Sequence, residues 1–363
     1  DSWFAVPGFY GWPPCQYETT NIAWSTAIPN TYTYFGNASG VGQPLVVKAR
    51  IFLLGEAHDL YCLNKLDGKI LWIRPNSYFE AATEEEKKHP AYKDAEPIAA
   101  KLEALRAVVA SGPLPRPKLD EKIKLEAELY SAMQKVDAKK FKRSAVDVGN
   151  AGFTPVSDGQ HVYVWFASGV TACYDLDGQC TWIRCENVHS FEHGYSSSPV
   201  LVEGKLIVYM RDLIAFDAKS GNVVWRTPIT KHEGANPEGY FHGTPAPVNV
   251  GGTTLLMLGN GSVVRVSDGK VVYTEPRTGK QAICSPILDG GSLYLVTTWS
   301  NQVLAYTLPG TATDPFKFAG DKAHAVPFDK LPKFYLDWHM GSPLIHDGLI
   351  YLLNNNGVLS VME

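Results

Sequence analysis

One thirteen-residue phrase occurs three times, as "LYCLNKLDGKILW" at 60–72, "VTACYDLDGQCTW" at 170–182 and "LIAFDAKSGNVVW" at 213–225. Each copy opens with a mostly apolar run suited to a strand buried on both faces. A polar stretch ending in Gly follows (Asp67-Gly68, Asp177-Gly178, Ser220-Gly221), which is hairpin-turn chemistry. A second short strand then ends in Trp72, Trp182 or Trp225. A large flat side chain at a fixed station in every copy predicts packing between neighbouring units.

The repeat extends upstream. "GQPLVVKARIFLL", "TPVSDGQHVYVWF" and "SPVLVEGKLIVYM" each hold a strand led in by Gln, Thr or Ser before Pro, a turn and a second apolar strand. Weaker copies follow at 246–273, where Tyr273 replaces Trp, and at 285–306 and 342–363. Trp182 and Trp225 lie 43 positions apart. Four strands at a period of about 40–50 residues predict an all-β propeller of four-stranded blades. The sixth copy lacks an outer strand, and 21–29, "NIAWSTAIP", has its Trp24 where Trp72 and Trp225 stand. Pairing the two would close the ring and remove open sheet edges. Six copies fit a six-bladed ring or part of an eight-bladed one.

The pattern in "AFDAKSGNVVW" resembles the repeat of PQQ-like (quinoprotein alcohol dehydrogenase-like) β-propellers of secreted bacterial type. The likeness covers nearly the whole chain outside 76–146. It implies one propeller domain over 1–363, a periplasmic or secreted location, and either a binding and scaffold role or quinone-dependent dehydrogenase chemistry. The known dehydrogenases stack the quinone on a ring made by two adjacent, bonded Cys. The cysteines here, at 15, 62, 173, 180, 185 and 284, are never adjacent. The resemblance thus implies the fold more than the activity.

Between Trp72 and Trp182 lie 110 residues, about 65 more than one blade needs. The excess, within 76–146, is dense in Lys and Glu. Ile98, Leu102, Leu105 and Val109 follow helical spacing, as do Leu125, Leu129, Met133 and Val136. Thr83-x-x-Glu86 forms a capping box and Gly112-Pro113 a stop, so a charged helical hairpin is predicted. It reads as a solvated decoration on one blade, or as a lid or docking arm.

With 45% hydrophobic and 12% aromatic residues the chain can fill a continuous core between blades. The net charge of −4 gives no basis for binding nucleic acid, and no apolar run reaches the roughly 18 residues of a membrane span. The chain opens without a basic–apolar leader, so any signal peptide is expected to have been removed. Six cysteines without CxxC or CxxCH exclude attached haem and make a zinc ribbon a poor fit; at most one disulfide is expected.

Candidate chemistry sits in loops of one face. His193, His242 and His339 precede Pro199, Pro247 and Pro343. Three imidazoles brought together by the ring suit a divalent metal, with Glu192 or Asp337 as a further ligand. Equally, each His suits local loop bonding and packing on a neighbour such as Trp338. "HSFEH" at 189–193 matches an inverzincin pattern, but that chemistry needs a helix, and this stretch is a loop of a β-repeat. Arg211 with Asp212 suits an anionic ligand, and Trp299 beside Asn301 offers a stacking surface. No residue is assigned a catalytic role. The expectation is a non-catalytic exported propeller binding a protein, a glycan or another envelope component, with no certain cofactor and no set oligomeric state. The alternative is a PQQ- or metal-dependent oxidoreductase with its site at the channel mouth.

Overall fold

The computed structural model describes residues 22–29, 42–141, 149–187, 196–210, 212–229, 240–275, 281–297, 302–325, 341–353 and 358–363. The first blade is an antiparallel sheet of Leu45–Val47, Arg50–Gly55, Asp59–Asn64 and Ile70–Pro75. The second runs Val156–Ser157, His161–Trp165, Val170–Asp175 and Cys180–Cys185. The third runs Val200–Val202, Lys205–Tyr209, Asp212–Asp217 and Val223–Pro228. Two more four-stranded sheets follow, Ala246–Val250 to Val271–Tyr273 and Ile287–Asp289 to Gly320–Ala325. A three-stranded sheet, Leu344–His346, Leu349–Leu353 and Leu359–Met362, comes last. Each strand pairs with the next in sequence, so every blade is a meander.

The third strands are the apolar runs of the repeated phrase, and in the first three blades they are buried on both faces. Phe52, Leu60 and Cys62 of the first blade pack into one core with Val162, Val164 and Tyr174 of the second and Leu206, Ile214 and Phe216 of the third. Leu213 and Trp225 pack on Leu256 and Val264 of the fourth blade, whose Leu255 and Val263 pack on Leu293 and Leu304 of the fifth. Val303 then meets Ile350 and Leu352 of the last sheet.

The conserved station of the Trp has a physical cause. The Trp182 indole lies over the turn of the third blade, where a Cβ on Gly221 would sit 2.5 Å from the ring, and Gly221 has a φ of +67°. Only Gly satisfies both demands. The Trp182 indole N–H donates to Ala218 O at 2.9 Å. Trp24, Trp72 and Trp225 repeat this on Gly68, Gly178 and Gly269, donating to Lys65 O, Leu176 O and Val266 O. Opposite each paired aromatic the ladder slips by one residue, at Cys62/Leu63, Cys173/Tyr174, Ala215/Phe216 and Val263/Val264. Such a bulge adds twist and re-aims the ring.

The hydroxyls before proline form a relay between blades. Gln43 N donates to Thr154 Oγ1, Thr154 N to Ser198 Oγ, Ser198 N to Thr244 Oγ1, Thr244 N to Ser285 Oγ and Ser285 N to Ser342 Oγ, all at 2.9–3.0 Å. This corrects one alignment: the fourth blade is led in at Thr244-Pro245, not at Pro247, so His242 stands closer to its proline than His193 does to Pro199.

At the ring's seam, residues 22–29 are extended and carry no ladder bonds among the described residues. Their side chains nevertheless take the outer-strand station on the first blade: Thr26 Oγ1 donates to Gly68 O at 2.6 Å, as Thr227 Oγ1 does to Gly269 O. The last sheet keeps Leu359 and Val361 exposed, where the third strands of the earlier blades are buried.

Candidate functional site

The insertion forms two helices, α1 (Pro90–Ser111) and α2 (Arg116–Val136). Thr83 and Glu86 do bond reciprocally as a capping box, but they cap a single 3-10 turn at Glu86–Lys88. The N-cap of α1 is His89, whose Nδ1 accepts from Ala91 N, and Gly112 ends the helix. Leu102 and Leu105 face Leu125, Leu129 and Met133, and this core continues through Tyr78 and Phe141 onto Val170 of the second blade. Val109 and Leu114 reach the first blade at Tyr61, Leu63 and Ile73. The outward face stays charged with both signs mixed, including Lys93, Glu96, Lys101, Glu103, Glu121, Lys124 and Glu128.

The hairpin is rooted on the turn between the second and third strands of the first blade by buried charge. Asp59, fully buried, accepts from Arg106 Nε of α1 at 2.8 Å, and its other oxygen lies 3.1 Å from Lys122 Nζ of α2. Lys122 is also fully buried and pairs with Glu126 one turn on. Burial alone would push the Asp59 carboxyl up, yet Arg106 and Lys122 hold it below its ordinary range. Burial likewise opposes the Lys122 charge, but Asp59 and Glu126 raise its affinity for the proton.

Two further groups share this turn. Glu56 is 2% exposed, and its Oε1 accepts from Asn150 N at 2.7 Å and Ala151 N at 2.8 Å of the second blade's lead-in. Burial pushes it up to about 7, against the pull of those N–H groups, and Glu126 adds to the rise. His58 packs between Tyr78 and Phe166, and burial pushes it down to about 4 while Asp59 pulls the other way. Glu56 Oε2 and His58 Nε2 are buried without a hydrogen-bond partner among the described residues.

Of the site residues expected from sequence, Glu192, His193, Arg211, Trp299, Asn301, Asp337, Trp338 and His339 lie outside the described residues. His242 is described: its Nδ1 is 2.9 Å from Ser196 Oγ, which also donates to His242 O, tying two blade lead-ins together. Asp212 pairs with Arg226 at 3.4 Å, and Arg226 also holds Glu186 across the seam between blades. The structure therefore brings none of these residues together as a ligand set among the described residues, and no group of three or more His, Cys, Asp or Glu there could hold a metal. All five described cysteines are free, and Cys15 lies outside the described residues. The quinoprotein Cys ring has no counterpart here, so the residues present do not fit that way of holding a quinone.

The root cluster was missed from sequence. A signal existed: Lys122 prolongs the apolar stripe of Leu125 and Leu129 by one turn, and Arg106 lies between Leu105 and Val109 on the buried side of α1. A charge on a buried stripe demands a partner.

Stacked four-stranded meanders joined blade to blade by indoles and hydroxyls define a β-propeller carrying a helical hairpin. The chain belongs to the family described as outer membrane protein assembly factor BamB, whose profile matches residues 124–310. None of the curated proteins matches it. Among solved structures it is similar to BamB from Moraxella catarrhalis, with 10% identity and a TM-score of 0.45 over 90% of this chain and 70% of that one. It is also similar to the quinohemoprotein alcohol dehydrogenase ADHIIG from Pseudomonas putida HK5, with 14% identity and a TM-score of 0.49. That match covers 92% of this chain and 53% of the dehydrogenase.

Proposed function

We propose that this chain, 1–363, is a single propeller domain acting as a non-catalytic binding and scaffold module of the bacterial envelope, docking a protein partner through the hairpin within 76–146. The observation that carries the reading is the root of that hairpin. Three buried charges from three elements, Asp59, Arg106 and Lys122, hold a solvent-facing charged surface in one orientation. Fixing a surface before binding lowers the ordering cost of association. Membership of the BamB family supports a protein partner and an envelope location. A glycan ligand remains a weaker form of the same reading, with Trp299 and Asn301 as its stacking and bonding groups. A quinone- or metal-dependent site built from His193, His242 and His339 is the second reading, and Arg211, Asp212, Glu192, Asp337 and Trp338 are its nearest helpers in sequence.

The test is site-specific photocross-linking in the native envelope from Glu103 and Lys124 on the hairpin and from Lys219 on a distant hairpin turn. The reading expects a discrete protein adduct from the first two sites that the charge reversals Lys101→Glu and Lys124→Glu abolish. Adducts equal at all three sites, or none at the hairpin, would overturn it. Fractionation of the precursor to the cytoplasm would overturn the location.

A further inference from the structure

We propose that the hairpin is a proton-dependent latch: Glu56 holds a proton while the hairpin is docked, and losing it loosens α2 from the first blade. Counting charge around the root leads there. The two buried cations, Arg106 and Lys122, are matched by the carboxylates of Asp59 and Glu126. Glu80 faces Arg106 as well, and Glu103 meets it from the exposed side of α1. No cation among the described residues is left over for a further buried carboxylate. Glu56 stands in that position, 2% exposed, with Glu126 of α2 repelling it. From the second blade it meets only the backbone N–H groups of Asn150 and Ala151 on one oxygen and the Asn150 amide, while its other oxygen has no donor. His58, two residues on, is held neutral by burial and supplies no positive charge.

An isolated buried carboxylate is costly enough that the group takes up a proton instead. When pH forces the proton off, separation of α2 relieves the repulsion by Glu126 and admits water to Glu56. The sign follows from linkage. A carboxyl raised in the docked state contributes stability that is complete below its ordinary 4.5 and is lost as pH rises through about 7. If Glu56 returns to ordinary behaviour on release, the docked-to-released ratio falls about tenfold between about pH 6 and 8.5. The latch concerns the root alone and holds whether or not the outer face docks a partner, so failure of either idea leaves the other standing.

The test is native-state amide exchange on the full chain, read as protection factors so that the intrinsic pH dependence divides out. The α2 amides, referred to those of the third blade, should lose about tenfold in protection across that pH range in the parent. Glu56→Gln, which keeps the shape of the neutral acid, should show a flat ratio. Glu126→Gln should keep the fall but move its midpoint to lower pH. A flat ratio in the parent or an undiminished fall in Glu56→Gln would overturn the latch. If Glu56→Gln does not fold, an unmoved midpoint in Glu126→Gln overturns it instead.

Discussion

The seams between blades and the root of the hairpin are both buried joints, built from opposite chemistry. At a seam, an indole lies on a glycine turn, its single polar atom bonded to the next blade, as Trp182 is to Ala218 O. At the root, Asp59, Arg106 and Lys122 are carried into the interior with their charge. The apolar joint tolerates a change in one member with a local loss, because burial is non-directional and roughly proportional to area. The ionic joint does not, because removing one member leaves the others charged, dry and unpaired. A fold that repeats a joint four times profits from the first kind. A unique insertion that must sit in one orientation profits from the second.

The sharpest way to break the comparison is Asp59→Ala. It strands Arg106 and Lys122, and chemical denaturation should show a loss of about 3–5 kcal/mol, felt first in the hairpin. The triple replacement Asp59→Leu, Arg106→Met, Lys122→Met should recover most of it. A triple variant as weak as the single one would mean that the ion cluster adds net stability and is not an orienting device.

Next comes acid. Burial holds His58 neutral, so its contribution is present above its ordinary 6.5 and is lost as pH falls through about 4, amounting to about 3 kcal/mol at the acid limit. His58→Phe, in a site already walled by Tyr78 and Phe166, should flatten the acid limb of a melting-temperature profile. An unchanged limb would place the acid sensitivity in other groups.

At the seams, Gly221→Ala should cost about 2 kcal/mol by thermal unfolding, combining a left-handed backbone with displacement of the Trp182 ring. The third and second blades should loosen together, since they share that joint. Smallest of all, Arg116→Ala breaks an exposed pair with Asp120 at 2.9 Å, and no measurable change in stability is expected. A large loss there would show that the outer face of the hairpin is tied down as well as its root.

What the residues declare and what they conceal divides along the same line. The blade phrase carries its turn, its apolar strand and its Trp within thirteen positions, so local chemistry identifies it wherever it occurs. The hydroxyl or amide before each proline was visible too, although its purpose, a relay from one blade to the next, was not. Both helices could be read from their spacing, and the first was misjudged only where Thr83 and Glu86 cap a 3-10 turn and His89 begins α1. The site expected on the loop face rested on ring symmetry, and in the one His that is described symmetry produced loop bonding, His242 to Ser196. The sequence by itself determined the blades and the hairpin, because turn preference and hydrophobic period act over a few residues. Only the tertiary structure decided that Asp59, Arg106 and Lys122 meet and that Glu56 is left without a cation. Electrostatic partnership is set by distance in space and by exclusion of water, and neither is written in the spacing of the chain.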